Sequence, residues 1–170
     1  YVRYRQHSTR ILCVDPEHSV FFEYYQRTLQ GELDPACLHH CGSRIEGIGR
    51  PRAEASFIPH CVDAMAKIPD DLSLAAMRYV STYFGRRVGG STGTNFVGVL
   101  VAAQALQAQN RTGSIVTILC DSGERYAHSY YSPAWYREQG IDIARADALI
   151  AAAVENRAPL AVQQAGCLGN

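Results

Sequence analysis

Blocks of apolar residues, separated by polar, Gly and Pro positions, divide the chain into predicted elements. Apolar residues recur at helical spacing in five segments: residues 19–30, 72–84, 96–109, 133–139 and 144–156. Apolar and β-branched residues run together in three predicted strands: residues 10–14, 86–88 and 114–120. Residues 1–7 predict the tail of a helix, and residues 61–68 fit either a short helix or a strand. Asp70 and Asp71 are predicted to cap the second helix, which Gly85 ends.

The order strand, helix, strand, helix, strand favours an α/β fold with a parallel sheet. Its central strand is predicted at residues 114–120, because this run is apolar, uninterrupted and β-branched. The helix over residues 96–109 is apolar on nearly all sides, which predicts a buried helix. Ligands of parallel sheets bind beyond the carboxyl ends of the strands. Three loop segments are expected to meet there: residues 42–57, 89–95 and 121–126.

The composition is that of a globular protein with one domain. The chain has 170 residues, of which 47% are hydrophobic and 19% are charged, and its formal net charge is zero. A neutral chain gives no indication of a nucleic-acid or acidic-membrane surface. The longest apolar run, residues 96–103, is too short to span a bilayer. We therefore expect neither a nucleic acid nor a membrane as a partner.

The cysteines are expected to be mostly free thiols. Cys13 and Cys120 lie in apolar, strand-like runs, where cysteine serves as a small buried hydrophobe. This favours a reducing, cytoplasmic location. Residues 37–41 contain two cysteines and two histidines, but spacing this tight cannot easily direct four ligands at one ion. The segment also follows Asp34-Pro35, a loop signal, so no metal site is predicted.

The segment Gly89–Asn95 carries the richest candidate chemistry. Its three glycines allow the backbone to approach a bound group without interference from a Cβ. Hydroxyls between them can cap a helix or point into a site, and N–H groups at a helix start favour an acceptor-rich ligand. Taken alone, the pattern favours a plain glycine turn with a Ser/Thr cap. A nucleotide phosphate loop is a weaker alternative, because the lysine and spacing of a P-loop are missing.

Four motifs, in this order, resemble the cysteine synthase / cystathionine β-synthase family. They are SRIEGIG at residues 43–49, FIP at 57–59, GGSTG at 89–93 and VTILCDSGERY at 116–126. The resemblance covers roughly residues 1–142, and these versions are most similar to a branch of cysteine desulfhydrase-like proteins. It implies pyridoxal 5'-phosphate (PLP) as cofactor. It also implies a three-layer parallel-sheet sandwich, the C-terminal part of the large domain of a fold-type II PLP enzyme.

The resemblance implies roles for particular residues. Ser91 matches the serine that hydrogen-bonds the pyridine nitrogen of PLP, and Gly47 and Ile48 match the loop beside the ring and the substrate. Asp121 matches the acidic position near the ring-nitrogen end. A neutral hydroxyl at position 91 stabilises a protonated ring nitrogen much less than a carboxylate would, which favours elimination over transamination.

Gly49, Arg50 and Arg52 are the candidate substrate-binding residues. A guanidinium matches the geometry of a carboxylate, so the two arginines are candidates for holding a substrate carboxylate. A solvated pair of loop arginines is an equally good interpretation.

The implied reaction is a PLP-dependent β-elimination or β-replacement on L-cysteine or an activated L-serine, carried out by a homodimer. Cysteine desulfhydration, cysteine synthesis and cystathionine formation share these motifs, so the leaving group stays open.

The sequence departs from the family at the reactive end of the cofactor. The family's Schiff-base lysine, asparagine loop and glycine-rich phosphate loop have no match here, and Lys67, the single lysine, matches a structural segment. Residues 1–170 are therefore predicted to be one incomplete large domain that lacks the N-terminal half and contains no catalytic residue. Activity would then require that half, because capture of the cofactor aldehyde needs a lysine amine. A non-catalytic binding or scaffold module of the same fold is the alternative.

Overall fold

The computed structural model describes residues 1–32 and 42–168. Its elements are, in chain order, β1 (Leu12–Pro16), α1 (Phe21–Leu29), β2 (Ala64–Ile68), α2 (Asp70–Phe84), α3 (Gly90–Ala108), α4 (Pro133–Glu138), α5 (Ile143–Val154) and β3 (Gln163–Gly166). Short 3-10 turns lie at Pro59–Cys61 and Gly123–Tyr126. The Cys/His segment 37–41 lies outside the described residues.

The described strands form one mixed sheet in the order β1-β2-β3. β1 and β2 run parallel, with Leu12 opposite Ala64, and β3 is antiparallel to β2, with Ala64 opposite Gly166. The predicted α/β class is confirmed, but the sheet is mixed and not purely parallel. The sequence pattern did not predict β3, because its four residues, QQAG, carry no apolar alternation.

Helices pack on both faces of the sheet. α1 covers one face through Phe22 and Tyr25, which cluster with Met65 of β2. The larger core on the other face is formed by α2, α3, α5, β2 and Leu160: Ala66, Ile68, Leu72, Ala75, Ala76, Val97, Val101, Ala146, Ile150, Ala153 and Leu160. Alternate residues of β2 thus serve opposite cores, the period of two expected for a strand that is buried on both faces.

The α2–α3 pair depends on a close backbone approach at Gly93. A Cβ at this position would lie 1.9 Å from the carbonyl oxygen of Ser73, so only glycine lets the two helices come this near. The Thr94 hydroxyl donates to the Ser73 hydroxyl across the same contact, at 2.9 Å. α2 ends at Gly85 in the left-handed conformation, with φ of 64°, as predicted. The glycine motif is thereby held against α2.

The predicted helices are found, with shifted ends. α3 begins at Gly90 and not at residue 96, because the glycine motif itself is helical. Residues 2–6 form turns instead of a helix tail, and the strand predicted at 86–88 is reduced to one bridge between Val88 and Ser122. Within the described ranges, no helix is long and apolar enough to cross a membrane.

Residues 114–120 are the main departure from the sequence prediction. The segment has no regular secondary structure, and Val116 and Ile118 are 92% and 70% exposed. A central strand needs neighbours along both edges, and the part of the chain that the structure describes places none beside this segment. The predicted central strand is therefore wrong for these residues taken by themselves.

The thiols of Cys13, Cys61 and Cys120 are free, as predicted. Burial raises the pKa of Cys13 to about 11, and the nearby charge of Asp15 adds to the rise, so this thiol stays protonated at neutral pH. Cys120 is exposed and not buried as expected, because it belongs to the segment that has no paired neighbours.

Candidate functional site

Three loop segments converge on the first turn of α3. The Gly89 N–H donates to the Asp121 carbonyl at 3.0 Å, and a Cβ on Gly89 would lie 1.9 Å from Asp121 Oδ1. On the other side, a Cβ on Gly90 would lie 3.0 Å from Ile45 Cγ2. Glycine at both positions therefore lets residues 43–49 and 121–126 pack against the start of α3. The prediction that these segments meet is confirmed.

Ser91 differs from the two other hydroxyl residues of this turn. The Thr92 hydroxyl accepts from the Cys120 N–H at 2.9 Å, and the Thr94 hydroxyl donates to Ser73, so both serve the fold. Ser91 is half-buried, and its hydroxyl forms no hydrogen bond with any residue that the structure describes. A hydroxyl on the first helical turn with no structural use is available to a ligand that accepts or donates one hydrogen bond.

The loop that carries Gly47 and Gly49 is bent through two left-handed residues, with φ of 85° and 78°. Its start is fixed by Asp70, whose carboxylate accepts from the Ser43 hydroxyl and from the Arg44 N–H, both at 2.8 Å. The sequence predicted that Asp70 caps α2, but this prediction is wrong. The N-cap position is Pro69, which makes no side-chain cap. The carboxylate instead fastens the loop to the start of that helix.

Tyr130 fastens the middle of the same loop. Its hydroxyl accepts from the Glu46 N–H at 2.7 Å and donates to the Arg44 carbonyl at 2.9 Å, and the side chain is 4% exposed. Burial raises the pKa of Tyr130, so the phenol stays protonated and able to donate. Tyr126 stacks on the Tyr130 ring, with the two ring centroids 4.6 Å apart.

Tyr131 fastens the residue that precedes the glycine motif. Its hydroxyl accepts from the Val88 N–H at 3.0 Å and donates to the Val88 carbonyl at 2.7 Å. Ser81 of α2 lies 2.7 Å from the same hydroxyl. Tyr130 and Tyr131, which are adjacent in the chain, thus fasten the Gly47 loop and the residue before the glycine motif, respectively. The sequence reading missed both, although the density of tyrosines over residues 126–136 was a signal that this stretch is packed.

Asp121 is exposed, and its Oδ2 accepts from the Tyr126 hydroxyl at 2.7 Å. Burial and this hydrogen bond both raise the pKa of Tyr126. Arg125 forms an ion pair with Glu46, which links the segment after Asp121 to the Gly47 loop across the site. Since both partners are more than half exposed, the pair orients the loop more than it stabilises the fold.

The structure places the candidate substrate residues at the outer end of the loop. Arg50 is joined to the start of α1, because its N–H donates to the Ser19 hydroxyl at 3.0 Å and its carbonyl accepts from Val20. The Arg50 guanidinium folds back onto the Gly49 carbonyl at 3.1 Å, and Arg52 pairs with Glu54 at 3.2 Å. Neither arginine is shown contacting Ser91 or Asp121, so their substrate role stays a prediction.

Lys67 is engaged in the fold. It lies on β2, its Nζ is 2.5 Å from Glu23 Oε1 of α1, and most of both side chains is covered. An amine held in such a pair acts as a structural cation between β2 and α1.

One group of possible metal ligands lies beside the loop. Glu17, His18 and Asp70 have ligand atoms within 4.8 Å of one another. The Asp70 carboxylate already accepts from Ser43 and Arg44, and Glu17 Oε1 accepts from the Asp70 N–H at 3.1 Å. Hydrogen bonds within the protein thus account for the position of these carboxylates.

The residues at the helix start fit one end of PLP and not the other. The Ser91 hydroxyl, which has no hydrogen bond to a described residue, can bond to a ring nitrogen. Gly89 and Gly90 beside it carry no side chain that would keep a planar ring away. The aldehyde end of PLP requires a free lysine amine, and Lys67 is already paired with Glu23. Among the described residues, those at the start of α3 suit the ring-nitrogen end, and none supplies a free lysine amine for the aldehyde end.

Comparison with known proteins tests the resemblance found in the sequence. No protein-family model matches the chain. The chain is 51% identical over 142 residues, 84% of its length, to an L-cysteine desulfhydrase of Mycobacterium tuberculosis. It is 27% identical to cysteine synthase 2 of Schizosaccharomyces pombe over 83% of the chain, and 30% identical to cystathionine beta-synthase of Rattus norvegicus over 78%.

A solved structure shares the fold. Cysteine synthase of Entamoeba histolytica superimposes on 88% of the chain with a TM-score of 0.58 and 24% sequence identity. The chain spans 37%, 36% and 22% of the lengths of the three relatives, and 39% of that solved chain.

The fold is thus an α/β fold shared with part of the cysteine synthase structure. The resemblance to the cysteine synthase / cystathionine β-synthase family is confirmed, over a segment that corresponds to about a third of the desulfhydrase and cysteine synthase 2 relatives.

Proposed function

We propose that this chain forms part of an enzyme that catalyses PLP-dependent β-elimination or β-replacement on L-cysteine or an activated L-serine. The 51% identity to an L-cysteine desulfhydrase supports cysteine desulfhydration as the first reaction to test. The observation that carries the proposal is Ser91, the one hydroxyl of the first α3 turn with no hydrogen bond to a described residue. The amino-acid substrate, homodimer and cytoplasmic location implied by the resemblance are parts of the same proposal.

PLP, when bound, supplies an electron sink that makes loss of a β-substituent from an amino acid feasible. Ser91 would hold the ring nitrogen through a neutral hydroxyl, beside Asp121, and the Gly47–Ile48 loop would lie along the ring. Tyr130, Asp70 and the Arg125–Glu46 pair would keep that loop in place, so their role is positioning. We also infer that α1, the sheet and the α2–α3–α5 layer belong to a three-layer sandwich, because cores lie on both faces of β2.

A chimera tests the proposal. The region of the M. tuberculosis L-cysteine desulfhydrase that matches this chain is replaced by the chain's own residues, which supplies the rest of the enzyme. Sulfide release from L-cysteine and the visible absorbance of bound PLP are then measured. We expect both, and we expect Ser91→Asp to lower the rate of sulfide release at least tenfold while PLP stays bound.

A matched control is Thr82→Ala, which removes an exposed hydroxyl of α2 that, among the described residues, donates to the Arg78 carbonyl. It should leave the rate unchanged. A chimera that is folded and binds PLP but releases no sulfide from L-cysteine, and forms no product from an activated L-serine and sulfide, would overturn the proposed function.

A further inference from the structure

The outer end of the loop that carries Gly47 and Gly49 is fastened to the chain just before α1. The Arg50 N–H donates to the Ser19 hydroxyl at 3.0 Å, and the Arg50 carbonyl accepts from the Val20 N–H at 2.9 Å. Ser19 and Val20 are both fully buried. The backbone of Arg50 is thus held by the interior of the protein, although the residue as a whole is exposed.

Ser19 is in turn bound by Asp15, near the carboxyl end of β1. The Ser19 side chain hydrogen-bonds the Asp15 carboxylate. Because an ionised carboxylate can only accept, the Ser19 hydroxyl donates to Asp15 and accepts from Arg50. Asp15 also accepts from the Phe22 N–H, in the first turn of α1, at 2.9 Å. The carboxylate therefore sets the direction of the hydroxyl that holds Arg50.

Asp15 is 4% exposed and lies among charged groups beneath α1. Lys67 is its partner in the β1–β2 register, and Lys67 forms its ion pair with Glu23 of α1. Burial raises the pKa of Asp15 to about 6, against the lowering effect of its hydrogen bonds from Ser19 and Phe22. The charge of Glu23 adds to the rise, and that of Lys67 opposes it. Asp15 is therefore ionised at about pH 7.5, the pH at which variants are best compared.

The hydrogen bond from the Phe22 N–H alone does not require a buried carboxylate. The side-chain amide of asparagine accepts from helix N–H groups equally well, and burying a charge costs more than burying an amide. A carboxylate adds acceptor capacity on both oxygens, which serves the Ser19 hydroxyl as well. The other end of the loop has the same arrangement, since Asp70 accepts from the Ser43 hydroxyl.

We propose that Asp15 is a positioning residue for the amino-acid substrate, which acts through Ser19 to fix Arg50 and the adjacent Gly49. The inference rests on the proposed function and on the predicted role of Gly49 and Arg50 in substrate binding. Gly49 has little room to move, because a Cβ there would lie 3.0 Å from Ser43 Cβ. A displaced Arg50 backbone therefore displaces the adjacent Gly49 and the contacts that both residues offer to the substrate.

Amide hydrogen exchange of the whole chain tests the connection without catalysis. Asp15→Asn and Ser19→Ala are compared with the unaltered chain at about pH 7.5. Because Asp15 acts on the Arg50 N–H through Ser19, the Arg50 amide should exchange about tenfold faster in both variants. The Glu46 amide, which Tyr130 holds, should keep its rate. Exchange of α2 and α3 amides reports whether each variant is folded.

The same substitutions in the desulfhydrase chimera test the effect on the substrate. The KM for L-cysteine should rise about tenfold while kcat stays within about twofold, because the ground state and the transition state lose the same contacts. The double variant should be no more than about twofold worse than either single variant, since both substitutions break one connection. A role in stability alone would leave KM unchanged.

Thr28→Ala is the matched control. It removes a half-buried hydroxyl at the other end of α1 that, among the described residues, donates to the Tyr24 carbonyl at 2.9 Å. Both the Arg50 exchange rate and the KM should stay at the values of the unaltered protein, because this hydroxyl is bonded within its own helix.

An unchanged Arg50 exchange rate in folded Asp15→Asn would overturn the proposal, and so would a KM equal to that of Thr28→Ala. If Asp15→Asn does not fold, Ser19→Ala decides by the same two readouts. A chimera that is inactive before any substitution counts against the proposed function. An active chimera whose KM does not respond to these substitutions counts against this inference alone.

Discussion

At the scale of single residues, the chain uses polar side chains to tie loops to elements, and Asp63 is the strongest example. Its carboxylate accepts from Arg3, Arg10 and the Ile11 N–H, at 2.7–2.9 Å. Burial alone would raise the pKa of Asp63, but hydrogen bonds from Arg3, Ile11 and Arg10 outweigh it and lower the pKa to about 2. The first eleven residues are thereby held against the start of β2.

The lowered pKa of Asp63 predicts that part of the stability of the fold is lost in acid. Because the folded-state pKa of Asp63 lies below its ordinary value, the stabilisation is present above about pH 4 and is lost as the pH falls toward 2. Asp63→Asn should lower the free energy of unfolding by about 2 kcal/mol at pH 7 and by much less at pH 2. Denaturant unfolding at both pH values measures this, and Glu138→Gln, an exposed carboxylate on α4, is the control.

An equal loss of stability for Asp63→Asn at pH 2 and pH 7 would contradict this account of the carboxylate. The sequence could not predict this role, because the partners of Asp63 are about fifty residues away in the chain. The same reason explains Asp70, which was expected to cap its own helix and instead binds residues 43 and 44.

At the scale of elements, the apolar pattern predicted all five helices but not the pairing of strands. Helix signals are local, since residues three and four apart share a face. Strand pairing depends on partners far away in the chain, which is why residues 114–120 have the composition of a central strand and no neighbour among the described residues. The three motif segments were correctly expected to meet, whereas the tyrosines that hold them were not.

Tyr130 allows a prediction about the loop that carries Gly47. Tyr130→Phe removes the hydrogen bonds to the Glu46 N–H and the Arg44 carbonyl but keeps the ring in its cluster. We expect the Glu46 amide to exchange faster and the free energy of unfolding to fall by about 1–2 kcal/mol. Tyr79→Phe is the matched control, since Tyr79 is partly buried and stacked on Phe96.

Similar effects of the two tyrosine substitutions on Glu46 exchange would show that the Tyr130 hydroxyl does not hold the loop. Tyr136, which donates to the Tyr130 carbonyl, keeps the backbone of residue 130 in place in both variants. The comparison therefore isolates the hydroxyl.

The α2–α3 contact allows a second prediction at this scale. Gly93→Ala places a methyl group 1.9 Å from the Ser73 carbonyl oxygen, so the helices must move apart and the Thr94–Ser73 hydrogen bond must lengthen. We expect a loss of about 3 kcal/mol in thermal or denaturant unfolding. Gly113→Ala is the control, because its nearest atom lies 3.9 Å away. Equal stability of the two variants would contradict the close packing.

At the scale of the whole molecule, the chain matches about a third of the length of the L-cysteine desulfhydrase and cysteine synthase 2 relatives. The cores on both sides of β2 hold the helices that carry the glycine turn, while Val116 is exposed. The family resemblance came from four motifs in order, and the comparisons confirmed it. The roles assigned to Ser91, Gly47, Ile48 and Asp121 stay predictions.

The central claim is that the Ser91 hydroxyl holds the ring nitrogen of PLP without protonating it. The most direct measurement is the nitrogen-15 chemical shift of ring-labelled PLP bound to the chimera described above, with Ser91 and with Ser91→Asp. We predict an unprotonated ring nitrogen with serine and a protonated one with aspartate, because a carboxylate stabilises the pyridinium. The same chemical shift in both proteins would contradict the claim.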